Sequence, residues 1–297
     1  MKNKETILKV KQPTDLMSFL LFSMGGMKRN SVKALLSHRS VYVNGHIETQ
    51  YNLPLQQGDE VRIVTNEAKH TLMHPKLRIV YEDDDLIVVE KQPGLLTVAA
   101  HQGSDETTVF SILKNYVRKS NPRAGIYTVH RLDRETSGLL VFAKSPDLQS
   151  YMRTYWHDIV TKRTYVALAE GVIEQEQGTI TTWLTEDPKS TMVYSSPVDN
   201  GGKKAVTHYR VVKHNDKYSL LELNLETGRT NQIRVHLASI GHPVVSDRKY
   251  GSGQQPPIDR LGLHARILEF VNPVDEQILH FETPVPRDFL AVFHTSN

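Results

Sequence analysis

The chain has 297 residues, 39% of them hydrophobic and 23% charged, with a formal net charge of +3 at pH 7. That is about two domains of ordinary globular composition, which excludes a wholly disordered chain. Cysteine is absent, so disulfides, zinc ribbons, cysteine-held iron–sulfur clusters and thiol nucleophiles are excluded together.

No run approaches the ~18 apolar residues that cross a bilayer. The opening Met1-Lys2-Asn3-Lys4-Glu5 is not followed by the apolar stretch of a secretory signal, so a cytoplasmic protein is expected. Up to His74 there are ten Lys/Arg against six Asp/Glu; the remainder holds 26 and 27. A basic bias in the first quarter suits a nucleic-acid partner, although solvated surfaces of this charge are common.

In chain order, Asp15 to Phe22 reads as a short helix. Ser31 stands as the N-cap of a second, with Val32, Leu35 and Leu36 at helical spacing. Val41-Tyr42-Val43 runs into Asn44-Gly45, a hairpin signal, and Gly58-Asp59 precedes a strand over 60–64. The polar stretch Thr65 to His74, ended by Pro75, reads as a linker.

The second unit opens with strands at 77–81 and 86–90 about an acidic turn, closed by Pro93-Gly94. An amphipathic helix follows at 109–118, a buried strand at 139–143, and a helix at 147–156 begun by Ser145-Pro146. A strand at 164–169 comes next, then a hairpin of 206–212 with 219–225, and a helix at 232–239 stopped by Gly241. The ending is strand, strand, short helix at 264–270, 278–282 and 287–293. Adjacent strands joined by short turns imply an α+β domain with a mainly antiparallel sheet.

Several catalytic signatures are missing: there is no phosphate-binding G-x-x-x-x-G-K-[ST], no G-x-G-x-x-G, no H-E-x-x-H and no G-x-S-x-G. Among fourteen histidines, His236 with His242 straddles a helix end and His208 with His214 flanks a hairpin; neither pair makes a convincing metal site. The densest polar stretch is His130-Arg131-Leu132-Asp133-Arg134-Glu135-Thr136-Ser137-Gly138. Unpaired charge near a core is costly, so this loop must form internal ion pairs or face a cleft. A kinase catalytic loop is ruled out by the intruding Leu132 and by the lack of the following Asn, a glycine loop and D-F-G.

The first unit resembles the alpha-L type RNA-binding domain. The resemblance rests on Lys28-Arg29, Val41-Tyr42-Val43-Asn44-Gly45 and Gly58-Asp59-Glu60-Val61. It implies a small α/β RNA-binding domain over residues 1–74, with Lys28, Arg29, Lys33 and Arg39 on or beside a phosphate-facing helix.

From residue 75 to the end the chain resembles the RluA/RluD family of RNA pseudouridine synthases. The central likeness is H-R-L-D-x-x-T-S-G-L at 130–139. It is joined by Leu86 to Lys91 with Gly94-Leu95-Leu96, by Lys162 to Gly171 around Tyr165, and by Thr227-Gly228-Arg229-Thr230-Asn231-Gln232-Ile233-Arg234-Val235-His236-Leu237. Gly241-His242-Pro243 to Asp247, Tyr250-Gly251 and Leu263-His264-Ala265 complete it. Two departures stand out. Asn231 replaces the family's usual His, which still leaves a hydrogen-bond donor and acceptor, and Lys91-Gln92-Pro93-Gly94 replaces Lys-Pro-x-Gly.

The resemblance implies the pseudouridine synthase fold, a mixed, mainly antiparallel sheet with flanking helices. It implies conversion of uridine to pseudouridine in structured RNA, ribosomal 23S or alternatively transfer RNA, by a monomer needing neither cofactor nor metal. Asp133 is implied as the catalytic carboxylate, in preference to Glu135, whose position the motif leaves free. Arg234 is implied as its bidentate partner, with Arg229 as the alternative or as a phosphate ligand, and Tyr165 as the ring against the uracil. Arg131 would stack in the space vacated by the target base; Asn231 and Gln232 would touch substrate. A non-catalytic RNA-binding or ribosome-assembly factor on the same domains is the rival; loss of the Asp, Tyr or Arg would mark it, and all three are present.

Overall fold

The computed structural model of the chain describes residues 4–24, 29–37, 40–65, 72–99, 105–253 and 255–294. Two compact units emerge, Met1–Thr71 and Leu72–Asn297. The division falls ahead of the expected break after His74, because His74 already pairs with Leu77. Lys28 and Arg39 lie outside the described residues.

In the first unit, β1 (Lys4–Lys9) is followed by β2 (Thr14–Asp15), α1 (Leu16–Ser23) and α2 (Arg29–Ser37). Then come β3 (Val41–Val43), β4 (His46–Ile47), β5 (Pro54–Leu55) and β6 (Glu60–Thr65). The sheet order is β1-β6-β3-β4, with β2 paired to β5. Asp15 caps α1 by accepting from the Ser18 N–H at 2.9 Å. Val32 and Leu36 of α2 reach the same core as Leu16, Leu20, Val61 and Ile63. Ser31 is not the cap expected of it. The helix begins at Arg29, because the apolar face sets its extent and an interior Ser costs only tenths of a kcal/mol. The Asn-Gly turn takes positive φ at both residues (50° and 85°), as a type I′ hairpin requires. Asn44 donates to Asp59 and accepts from the Glu60 N–H, each at 2.9 Å, so the two signature pieces of this unit bind each other.

The second unit begins with the hairpin β7 (Leu77–Glu82) and β8 (Leu86–Lys91), whose acidic turn is closed by Asp83 accepting from the N–H groups of Asp85 and Leu86. Helix α3 (Val109–Ser120) carries a Thr108/Ser111 capping box. After β9 (Tyr127–Thr128) comes β10 (Ser137–Ala143), buried along its whole length. The helix expected at 147–156 divides at Tyr155 into α4 (Pro146–Thr154), capped by Ser145, and α5 (Trp156–Ile159).

Strands β11 (Val160–Glu170), β12 (Gln177–Glu186), β13 (Val193–Ser196), β14 (Lys203–His214) and β15 (Tyr218–Leu225) follow, then α6 (Gln232–Ser239). The chain closes with β16 (Leu263–Val271), β17 (Ile278–Glu282) and α7 (Arg287–Ala291). The sheet runs β13-β12-β14-β15-β11-β16-β10-β8-β7, with β17 on β16 and β9 on β10. Only β10 with β16 is parallel among the described strand pairs, so the sheet is mixed and mainly antiparallel, as the sequence implies. At that junction Gly138 has φ +116°, and a Cβ there would lie 2.1 Å from the Ala265 carbonyl oxygen. Only glycine lets β16 approach, and this places the loop ahead of β10 beside β11 and β16.

Candidate active site

The loop 130–136 is fixed from both sides. Thr97 Oγ1 donates to the Leu132 carbonyl at 2.8 Å and faces its N–H at 3.1 Å. The Arg134 carbonyl accepts from the Gly94 N–H and from Lys91 Nζ, both at 2.9 Å. His130 is half-buried, accepts from the Val141 N–H at 3.2 Å and packs on the Trp156 ring at 4.7 Å. Burial pushes its pKa down to about 3, so it stays neutral. With His130 and Leu132 turned inward, Arg131 and Asp133 face outward, and Arg134 is paired with Glu106. Of the loop's charges, Arg134 therefore has a partner, Arg131 and Asp133 face a cleft, and Glu135 is exposed.

That cleft, about 150 Å³, gathers Arg131, Asp133, Tyr165, Arg229, Asn231, Gln232 and Arg234. All seven substrate-facing residues expected of the second unit lie on it. Arg29 and Lys33 are on α2 of the first unit, with exposed side chains.

The pairing of Arg234 differs from expectation. Its Nε and Nη2 donate to the two carboxylate oxygens of Asp247, each at 2.7 Å. Asp133 receives only Nη1, at 3.4 Å, and Nη1 also donates to Asn231 Oδ1 at 2.9 Å. The physical reason is burial: the Asp247 side chain is fully enclosed, that of Asp133 is 31% exposed, and the better-desolvated carboxylate takes the fork of the guanidinium. Asp247 also accepts from the N–H groups of Lys249 and Tyr250, at 2.9 and 3.1 Å.

Asn231 supplies more than a substitute hydrogen bond. It sits at φ 54° ahead of α6, a left-handed position that Asn tolerates, and its Nδ2 donates to the Tyr250 hydroxyl at 3.2 Å. The Gln232 amide accepts from Thr227 and the Arg229 N–H, and donates to the Val206 carbonyl and Thr207. With those four bonds made inside the protein, its side chain holds the 227–231 loop rather than reaching into the cleft. Arg229 keeps most of its guanidinium outward, with Nε on the Lys204 carbonyl at 3.2 Å. Tyr165 lies in β11 at a register shift between Thr164 and Tyr165. Burial raises its hydroxyl pKa; Arg163 pulls it back and Asp133 adds to the rise.

Three neighbours were missed from sequence. Asp247 and Tyr250 stand in the D-x-x-Y-G run, whose spacing lets Asp247 accept from the following backbone; that signal was readable. Lys91, wholly buried beneath the loop, stood in the sequence only as the end of an apolar strand and of the first family motif, with no role attached. Burial pushes its ammonium pKa down to about 7, against the opposing pull of Glu135 and Asp133. No group of three or more His, Asp and Glu residues is arranged to hold a metal ion among the described residues. No described helix is long and apolar enough to cross a membrane.

Residues 85–239 match the sequence profile described as RNA pseudouridylate synthase. The chain is 35% identical over 265 residues to the uncharacterized RNA pseudouridine synthase YhcT of Bacillus subtilis, covering 88% of this chain and 86% of that protein. It is 34% identical over 283 residues to the ribosomal large subunit pseudouridine synthase D of Haemophilus ducreyi, covering 89% and 85%. Of solved structures, human RNA pseudouridylate synthase domain containing 1 superposes with a TM-score of 0.57 at 28% identity, over 71% of this chain and 86% of that one. Human RNA pseudouridylate synthase domain containing 4 does so with a TM-score of 0.59 at 23% identity, over 73% and 91%.

Proposed function

The chain belongs to the RNA pseudouridine synthase family, and from that premise we propose that it isomerises chosen uridines of large-subunit ribosomal RNA in the cytoplasm. The observation that carries the choice of RNA is the similarity to synthases named for the large ribosomal subunit, spanning 85% of their length. In this reading the N1–C1′ bond breaks, the uracil turns over, C5 joins C1′, and the C5 proton is replaced by one on N1. The atoms balance without a donor or an oxidant.

Asp133 is the carboxylate at the sugar, as attacking group at C1′ or as base at C2′. Its place on the cleft wall, 31% exposed and with one contact to Arg234, supports this, since a half-open carboxylate can still turn toward a substrate. Tyr165 packs against the uracil from the opposite wall. Arg234 is fixed by Asp247 and spends one N–H on Asp133. Arg131 fills the space left by the flipped base, and Arg229 holds a phosphate. Glu135 is exposed and does not line the cleft, which supports Asp133 in this role. In the first unit, Arg29 and Lys33, exposed on α2, bind phosphates of the RNA as in an alpha-L type domain; the same role is proposed for Lys28 and Arg39, which lie outside the described residues. Mapping pseudouridine across total RNA with and without the gene tests the reading: sites lost from large-subunit RNA support it, and sites lost only from transfer RNA move the target there.

A further inference from the structure

Beside the catalytic cleft lies a second groove, of about 400 Å³, between α5, the start of β11 and the end of β15. Trp156, His157, Lys162, Arg163 and Asn224 line it, and Leu225 lines both it and the cleft. Arg163 forms the partition. Its Nη2 donates to the Thr227 carbonyl at 3.0 Å, and a Cβ on Gly228, in the cleft wall, would come within 3.0 Å of its Nη1. Its Nε is buried without a hydrogen-bond partner. On α4 and at its C-cap, the rings of Tyr151 and Tyr155 meet at 4.7 Å, tilted by 42°, and are 47% and 45% exposed.

We propose that this groove and the Tyr151–Tyr155 pair form the track for the RNA nucleotides next to the target uridine. The inference rests on the chain being an RNA pseudouridine synthase. A flipped nucleotide stays tethered to its neighbours through both phosphates, so the strand must leave the cleft over an adjoining surface. Here that surface carries the cations Lys162 and Arg163 close in the chain to partly exposed tyrosine rings, a composition that binds single strands without base readout. Glu226 lines the groove too and Glu269 lies beside it, but their carboxylates are turned to partners of their own, Glu226 to His208 and Glu269 to Thr161 and His280. Lys162 and Arg163 carry the phosphates, and the tyrosines carry a base.

The test uses the full chain and a labelled oligouridylate of about twelve nucleotides, which contains no natural target sequence. Photocrosslinking with 4-thiouridine in that oligomer should label peptides within residues 151–163. Tyr151→Ala/Tyr155→Ala should weaken binding about tenfold. Lys162→Glu should flatten the salt dependence by about 0.7 or more in log–log slope. Both variants touch exposed side chains, and unchanged melting temperatures would confirm that they fold. Crosslinks confined to other peptides, or wild-type affinity and slope in both variants, would overturn the track. Should pseudouridine mapping point away from ribosomal RNA while crosslinking and both variants behave as expected, the choice of target falls and the track stands.

Discussion

At the residue scale, the two carboxylates around Arg234 differ in kind. Asp133 is partly open and makes one long contact to Arg234, so Asp133→Asn should leave stability within about 1 kcal/mol. It should nonetheless abolish pseudouridine formation, because an amide of the same shape is neither nucleophile nor base. Thermal melts together with turnover on uridine-containing RNA check both halves; an active variant would remove Asp133 from its role. Asp247 is the opposite case. Removing one charge of a buried, bidentate pair leaves the other uncompensated, so Asp247→Asn should cost roughly 3–5 kcal/mol of stability and release Arg234 from its position. Activity measured well below its lowered melting temperature should then fall mainly in kcat; a variant as stable as the parent would mean that the pair contributes little. The identities of the cleft residues were legible in the sequence, while their pairing was not. The family motifs imply that Arg234 and Asp133 converge, but a second carboxylate, Asp247, 13 residues from Arg234 in the chain, takes the fork because it is the more deeply buried.

At the element scale, two buried histidines, His236 and His264, and the half-buried His130 join the strands that frame the cleft. His130 ties the motif loop to β10, His236 on α6 bonds Thr182 and Thr207, and His264 on β16 bonds Ser137 and Thr283. Burial pushes their pKa values down to about 3, 4 and 3. The unfolded chain therefore takes up these protons first as pH falls below the ordinary histidine value near 6.5. Stability should be fully present above about 6.5 and should decline toward 3–4, with a slope approaching 4 kcal/mol per pH unit if all three contribute. Melting temperature followed from pH 7 to 4.5 checks this; a flat profile would show that the three do not stay neutral together. Most elements were readable because their apolar period or caps are local: Ser145 and the Asn-Gly turn stand where expected, and Asp15, read as the first residue of its helix, is the cap one position ahead of it. β1, β12 and β13 were not. β12 buries only one face and β13 only Val193, while β1 is placed by pairing with β6, a partner about fifty residues away in the chain.

At the scale of the whole molecule, the charge divides as the chain does. The basic excess lies in the first quarter and the remainder is close to neutral, so long-range attraction of RNA should come chiefly from the first unit. The second unit has its own core, with Phe142, Phe270 and Phe289 fully buried, and it holds every residue of the cleft. A chain reduced to residues 72–297 should therefore fold and retain the chemistry at high RNA concentration. Losing binding energy common to ground and transition states raises KM and leaves kcat less affected, and each lost phosphate contact removes close to one counterion from the salt dependence. Lys28→Glu/Arg29→Glu/Lys33→Glu in the full chain should reproduce the same rise in KM and the same flattened slope. These two variants check each other: a truncated chain with raised KM beside a charge-reversed chain with normal KM would mean that the first unit acts through contacts other than these cations. If both bind RNA with the parent's affinity and salt slope, the first unit does not anchor RNA and its likeness to the alpha-L domain is one of shape alone.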